Sequence, residues 1–399
     1  MVATVALLAA GACSSATAVR TSAPVSSSPT TSRSVLPGRP GLWLAIADSS
    51  GVLIWSRASG ATQVSGPSTT ADVYGDLTWS ADGRYLGWYE QPAREIAWDY
   101  RPLRIAPGAD CGPGRLVVFD TADRVTTTWS VTDLFQPMVV TGDGAYVFEN
   151  GLSCGYGLLH YLPSGRRVSE PVTGAPATGR LLAFADATGF LAIAGAPRPR
   201  VFSLALDGSA RLEARLPAPT AGTYERFVAS PDGAELAVEQ GAQTQGNGSQ
   251  RCAPPGLAAA SSLVTLDLRT DLSRRFDLPP VPPARTAQIG TMSYGPAGSL
   301  DLTEYACSPA LGPGAALGSP VLLQLRAGAL VQVAKGVIAG ETSFTGSLAV
   351  IPGRYELIRG PMPGAEVATA ASGRAVAVDG APLAGVGRIA TDISWSPAP

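Results

Sequence analysis

Leu77-Thr78-Trp79-Ser80-Ala81-Asp82-Gly83-Arg84-Tyr85-Leu86 and Phe227-Val228-Ala229-Ser230-Pro231-Asp232-Gly233-Ala234-Glu235-Leu236 are two copies of one phrase. Each runs apolar segment, Ser-x-Asp-Gly turn, apolar segment. The turn chemistry is local: Pro presets φ, Asp bonds its own backbone, and Gly accepts φ > 0. Looser copies centre on Gly144, Gly189 and Gly298, and another on Ser343-Phe344-Thr345-Gly346-Ser347-Leu348. Successive copies lie 44 to 65 residues apart. A repeat of that length, with several short strands per copy, is the signature of a propeller blade.

Each copy predicts four strands. The first leads into the Asp-Gly turn and the second leaves it. A variable loop then precedes a third and a fourth strand joined by another tight turn. Leu116-Val117-Val118-Phe119-Asp120 with Val125-Thr126-Thr127-Thr128-Trp129 is one such outer pair, and Leu263-Val264-Thr265-Leu266-Asp267 with Ser273-Arg274-Arg275-Phe276 is another. The chain ends on Ile393-Ser394-Trp395-Ser396-Pro397, which is half a repeat. Its beginning, Leu42-Trp43-Leu44-Ala45-Ile46 and Val52-Leu53-Ile54-Trp55, supplies the other strands. Joining the two ends closes a ring and hides the edges that a linear sheet would expose. The expected fold is therefore all-β, a seven-bladed β-propeller over residues 41–399. Six and eight blades are the alternatives, because residues 365–390 leave the count open.

Composition agrees. Of 399 residues 45% are hydrophobic and only 15% charged, with 46 Gly and 34 Pro, which suits short strands and tight turns. The net charge of −2 gives no electrostatic case for nucleic acid. Residues 1–12 are apolar or small and read as a signal peptide. The run Leu8-Ala9-Ala10-Gly11-Ala12-Cys13-Ser14-Ser15 resembles the lipobox of bacterial lipoproteins, here of an actinobacterial type rich in Ala, Gly, Pro and Arg. That resemblance implies a lipidated Cys13 anchored to the cell membrane, with the rest extracytoplasmic. Residues 13–40 are mostly Ser, Thr, Ala and Pro, the composition of a tether.

The Trp-Ser-x-Asp-Gly phrase resembles the propeller domain of TolB and of related exported WD-like propellers. It marks a blade type, not an activity. TolB also carries a separate amino-terminal domain, where this chain has only the tether, so no role in the Tol-Pal system is carried over.

Cys111, Cys154, Cys252 and Cys307 are an even set in an exported chain, each between the second and third strands of its blade. Neighbouring blades pair them as Cys111–Cys154 and Cys252–Cys307. Each bridge would contribute about 4 kcal/mol by restricting the unfolded chain. A four-Cys zinc site is the rival, although no C-x-x-C spacing is present. The long inserts 91–114 and 240–258 recur in register, consistent with a duplicated triplet of blades, and build up one face. Glu90, Glu149, Glu239 and Glu304 end the second strand in the four Cys-bearing blades. They form either an acidic ring that receives a basic ligand or a set neutralised by loop residues such as Arg94, Arg101 and Arg251. Trp98, Tyr100 and Arg101 add a stacking surface for sugar or peptide.

Catalysis has little to work with. His160 is the one histidine, inside a strand, and no G-x-S-x-G elbow or phosphate loop occurs. The expectation is a monomeric binding or scaffolding module without cofactor or metal. Its partner would be an envelope protein or cell-wall ligand. The alternative is a glycosidase or lyase working with carboxylates of the same face.

Overall fold

The computed structural model describes residues 42–48, 51–65, 73–91, 114–131, 137–151, 155–175, 182–194, 199–219, 223–241, 262–279, 286–307, 319–359, 366–370, 375–384, 386 and 390–397. All belong to the larger of two compact units, Ser34–Pro399, and none is helical. Strands β1 (Leu44–Asp48), β2 (Gly51–Ser56) and β3 (Gly60–Ser65) share a sheet with the last strand of the chain, Ala390–Trp395. This sheet is blade one.

Blade two is β4 (Val73–Trp79), β5 (Tyr85–Gln91), β6 (Gly114–Asp120) and β7 (Val125–Val131). Blade three is β8 (Met138–Thr141), β9 (Gly144–Gly151), β10 (Gly155–Tyr161) and β11 (Arg167–Glu170). Blade four is β12 (Leu182–Ala185), β13 (Phe190–Ala194), β14 (Arg200–Leu204) and β15 (Ala210–Arg215). Blade five is β16 (Thr223–Ala229), β17 (Glu235–Gly241), β18 (Ser262–Asp267) and β19 (Leu272–Asp277). Blade six is β20 (Thr286–Tyr294), β21 (Leu300–Cys307), β22 (Val321–Arg326) and β23 (Ala329–Lys335).

Blade seven begins with β24 (Val337–Thr342) and β25 (Leu348–Pro352), then departs from the pattern. A separate hairpin, β26 (Tyr355–Arg359) with β27 (Glu366–Ala370), interrupts it before the short β28 (Ala377–Val378) and β29 (Ala381–Pro382) complete the sheet. That extra hairpin is why residues 365–390 obscured the count. With β30 (Ala390–Trp395) returning to blade one, there are seven four-stranded sheets. The chain is a seven-bladed β-propeller.

Closure is antiparallel and direct. Leu44 pairs with Trp395 and Ile46 with Ile393, and beyond the strand Ser396 N donates to Trp43 O at 2.8 Å. First strands of successive blades pack against one another around the axis. The core is a set of inter-blade seams, a consequence of alternating strand faces. On β5, Trp88 joins Trp43, Ala45 and Ile54 of blade one, while Tyr89 faces Met138 and Val140 of blade three. The tryptophan of the repeat has a defined task. Trp79 Nε1 donates to Ser394 O at 3.1 Å, and Trp395 Nε1 to Glu341 O at 3.0 Å, so each indole reaches the preceding inner strand.

The turns behave as their chemistry requires. Ser80 Oγ accepts Tyr85 N at 2.9 Å and Ser230 Oγ accepts Glu235 N at 2.9 Å, with φ positive at Gly83 and Gly233. Gly144 is the most constrained copy. Its φ is +134° and a Cβ there would lie 2.0 Å from Tyr161 O. Gly144→Ala is expected to cost about 3 kcal/mol or more, since strain and a backbone clash add. A urea midpoint equal to that of the parent protein would contradict this.

Residues 1–41, Cys111, Cys154, Cys252, Trp98, Tyr100 and Arg101 lie outside the described residues, and with them the lipidation, tether, disulfide and stacking expectations. Cys307 ends β21, but its side chain is likewise outside them.

Candidate functional site

Strand direction defines two faces of the ring. The first-to-second and third-to-fourth strand turns form the turn face. The second-to-third connections, which carry the long inserts, form the insert face. Glu90, Glu239 and Glu304 sit on second strands towards the insert face, but all are 1–5% exposed. They lie in the seams beneath the surface, not on it. The side chain of Glu149 lies outside the described residues.

Glu90 Oε1 accepts Ser65 Oγ at 3.0 Å and Trp88 Nε1 at 3.1 Å, and Oε2 pairs with Arg115. Glu239 Oε2 lies 3.5 Å from Arg226 Nε, and Ile289 N donates to Oε1 at 3.4 Å. The Arg226 guanidinium also donates to the carbonyls of Ile289 and Gly290. The neutralising arginines are thus strand residues, Arg115 and Arg226. Arg94, Arg101 and Arg251 lie outside the described residues. Arg226→Leu leaves the Glu239 carboxylate buried without this cation. The expected loss is about 3–5 kcal/mol. A urea midpoint equal to that of the parent protein would contradict the pairing. Glu304 differs: among the described residues neither oxygen has a hydrogen-bond partner, and burial pushes its pKa up to about 7.

Further buried carboxyls lie on inner strands (Asp76, Asp392 and Glu341) and on β21 (Asp301). Burial and then Asp392 push Asp76 up to about 8, and burial raises Asp392 and Asp301 to about 6. Glu341 is held well above the usual range by burial, despite accepting Trp395 N at 3.1 Å. Asp301 accepts Thr342 N at 2.8 Å and Gln324 Nε2 at 3.0 Å. Asp392, which accepts Leu77 N at 2.9 Å, and Glu341 tie one inner strand to the next, and Asp301 ties β21 to the inner strand of blade seven. Among the described residues no three His, Cys, Asp or Glu side chains come together as a metal site. His160 stacks on Tyr146 at 4.0 Å between ring centroids, and its Nε2 lies 3.2 Å from Asp143 O. It is a packed strand histidine.

A depression opens on the turn face. Its volume is about 690 Å³, and Ala81, Ala187, Pro231, Pro296, Phe344 and Pro397 from six blades surround its axial end. The sequence reading treated these turns purely as scaffold. One signal for the depression was present in the chain itself. Phe344 occupies the second turn position, where the other copies carry Ala, Gly or Pro, and it is 55% exposed.

No protein-family model matches the chain, and neither does any curated protein. Among solved structures it is similar to TolB from Acinetobacter baumannii at 11% identity and TM-score 0.42, over 73% of this chain and 63% of that one. The chain thus spans less than two thirds of that TolB. It is also similar to a putative TolB from Agrobacterium tumefaciens (11% identity, TM-score 0.37, 83% of this chain and 98% of that one). An oligogalacturonate lyase in complex with manganese matches at 12% identity and TM-score 0.45, over 70% of this chain and 73% of that one. Likeness of this degree concerns the propeller fold alone.

Proposed function

We propose that this chain is a lipid-anchored, extracytoplasmic propeller that works as a binding or scaffolding module through its insert face, and not as an enzyme. The observation that carries the reading is the condition of the strand-end glutamates. A glycoside-cleaving site needs two carboxyl groups roughly 5–10 Å apart across an open cleft. Here Glu90 and Glu239 are buried and paired with Arg115 and Arg226. What the inserts present is then surface for recognition, on a rigid ring.

The test is crosslinking in intact cells, comparing the parent protein with a variant in which residues 92–113 and 242–261 are replaced by short Gly-Ser loops. Loss of a specific crosslinked partner supports the reading, and retention of every partner overturns it. Anchoring is checked separately: Cys13→Ser should move the protein from the membrane fraction to the soluble one. Peptide mapping without reductant should recover Cys111–Cys154 and Cys252–Cys307. The competing reading is carbohydrate chemistry by two of the four strand-end glutamates, of which Glu304 is the described one without an arginine partner among the described residues. Cleavage of polysaccharide by the parent protein that Glu304→Gln abolishes would replace the binding proposal.

A further inference from the structure

The turn-face depression runs outward from the axis along the seam between blades five and six. One wall is the blade-six-facing side of blade five, with Glu235, Thr265, Asp267, Leu272, Arg274 and Phe276. The other includes Pro296, Gly298, Leu325 and Gly328 of blade six. Two features separate it from ordinary surface. Phe344 and Leu272 are 55% and 61% exposed, large apolar side chains held in water at the same groove. Isolated exposed apolar residues need no explanation; these two line the same concavity.

The second feature is charge. Glu235 and Asp267 stand directly opposite each other on β17 and β18, with Asp232 in the turn before β17; burial first, and then the Asp267 and Asp232 charges, raise the Glu235 pKa. Arg269 pairs with Asp232 at 2.8 Å, and its charge also reaches Asp267. Asp267 is held by the amides of Arg269 and Thr270, at 2.9 Å and 3.1 Å, so its carboxylate is fixed in position. Three acids against one paired base leave the inner part of the groove negative. Arg274, further out, makes no ion pair among the described residues. A ligand that brings a cation inward relieves the repulsion among the acids, and one with apolar groups covers Phe344 and Leu272.

We propose that this groove binds an extended segment of a partner protein, with a basic side chain between Glu235 and Asp267 and apolar side chains on Phe344 and Leu272. This is a second binding surface, on the face opposite the inserts. Free saccharides lack the cation that the acids select.

Fluorescence anisotropy tests it on the full chain, with a fluorescein-labelled decapeptide built of Pro, Leu and Arg, and the same peptide with Glu replacing Arg. The Arg peptide should bind and the Glu peptide should not. Phe344→Ala should weaken binding about tenfold, as should Glu235→Gln combined with Asp267→Asn, which preserves the turn hydrogen bonds. Arg274→Glu should tighten it about threefold, a gain that general damage to the fold would not produce. Val125→Ser, on the outer edge of blade two, should change nothing. The protein with shortened inserts should bind the peptide as the parent does, which separates this surface from the insert face. Equal binding of both peptides, binding indifferent to the Phe344 and acid variants, absence of binding at millimolar peptide, or displacement by cellotetraose would each overturn the proposal.

Discussion

Deleting residues 390–399 is expected to abolish cooperative unfolding of the propeller. Those residues include β30, which supplies the inner strand of blade one and faces the inner strands of blades two and seven. Without it, β1 loses its partner along Leu44–Asp48, and Trp79 loses the Ser394 carbonyl that its indole bonds. The seam packed by Ile393 and Trp395 opens to water. A broken ring also presents an unpaired edge, which recruits further chains. The truncated protein should show a broad, shallow urea transition and concentration-dependent aggregation. Trp395→Ala is the milder version, expected to cost about 3–5 kcal/mol through lost packing and an unpaired Glu341 carbonyl. A truncated chain that unfolds cooperatively at the parent midpoint would show that closure contributes nothing.

Stability should rise as pH falls from about 8 to about 5. Asp76 is pushed up to about 8, Glu304 to about 7, and Asp392 and Asp301 to about 6, whereas the unfolded chain titrates them near 4. A carboxyl with a raised native pKa binds its proton more tightly when folded. Its stabilisation is complete below the unfolded value and is lost as pH climbs through the native one. Asp120, Asp143 and Asp232 act in the opposite sense. Their pKa values are lowered, by hydrogen bonds with Arg84, Thr141 and Ser230 among others, so their contribution is lost only on acidification below about 4. The maximum should therefore lie near pH 4–5. Glu304→Gln, which removes the ionisation while keeping the shape, should stabilise the protein at pH 8 by roughly 3 kcal/mol and have little effect at pH 4. A midpoint that falls steadily between pH 8 and pH 5 would contradict this, as would a Glu304→Gln variant less stable than the parent at pH 8.

The legible part of this chain was its repeat. Ser80-Ala81-Asp82-Gly83 and Ser230-Pro231-Asp232-Gly233 announce their turns because the hydrogen bonds are local, and period-two alternation around them announces the strands. The broken half-repeats at the two ends announced closure for the same reason. Blade seven was harder to read, because β28 and β29 have two residues each and the β26–β27 hairpin mimics a missing strand pair. The glutamates were located on the correct strands, yet their surroundings were not legible. Arg115 and Arg226 come from a third and a first strand, and no local pattern says which arginine a strand-end carboxylate meets.

By itself the sequence determined the class of fold, the blade repeat and the way the ring closes, because each depends on contacts between residues near one another in the chain or on complementary half-sheets. Tertiary structure decided the environment of the buried acids. Glu304 and Asp76 are ordinary acids in the sequence and acquire raised pKa values only when neighbouring blades remove water from around them. It also decided that Phe344, Leu272 and Glu235, from blades seven and five, line one groove. Residues that far apart in the chain meet only through the circular stacking of whole blades, and no spacing within a single repeat encodes that meeting.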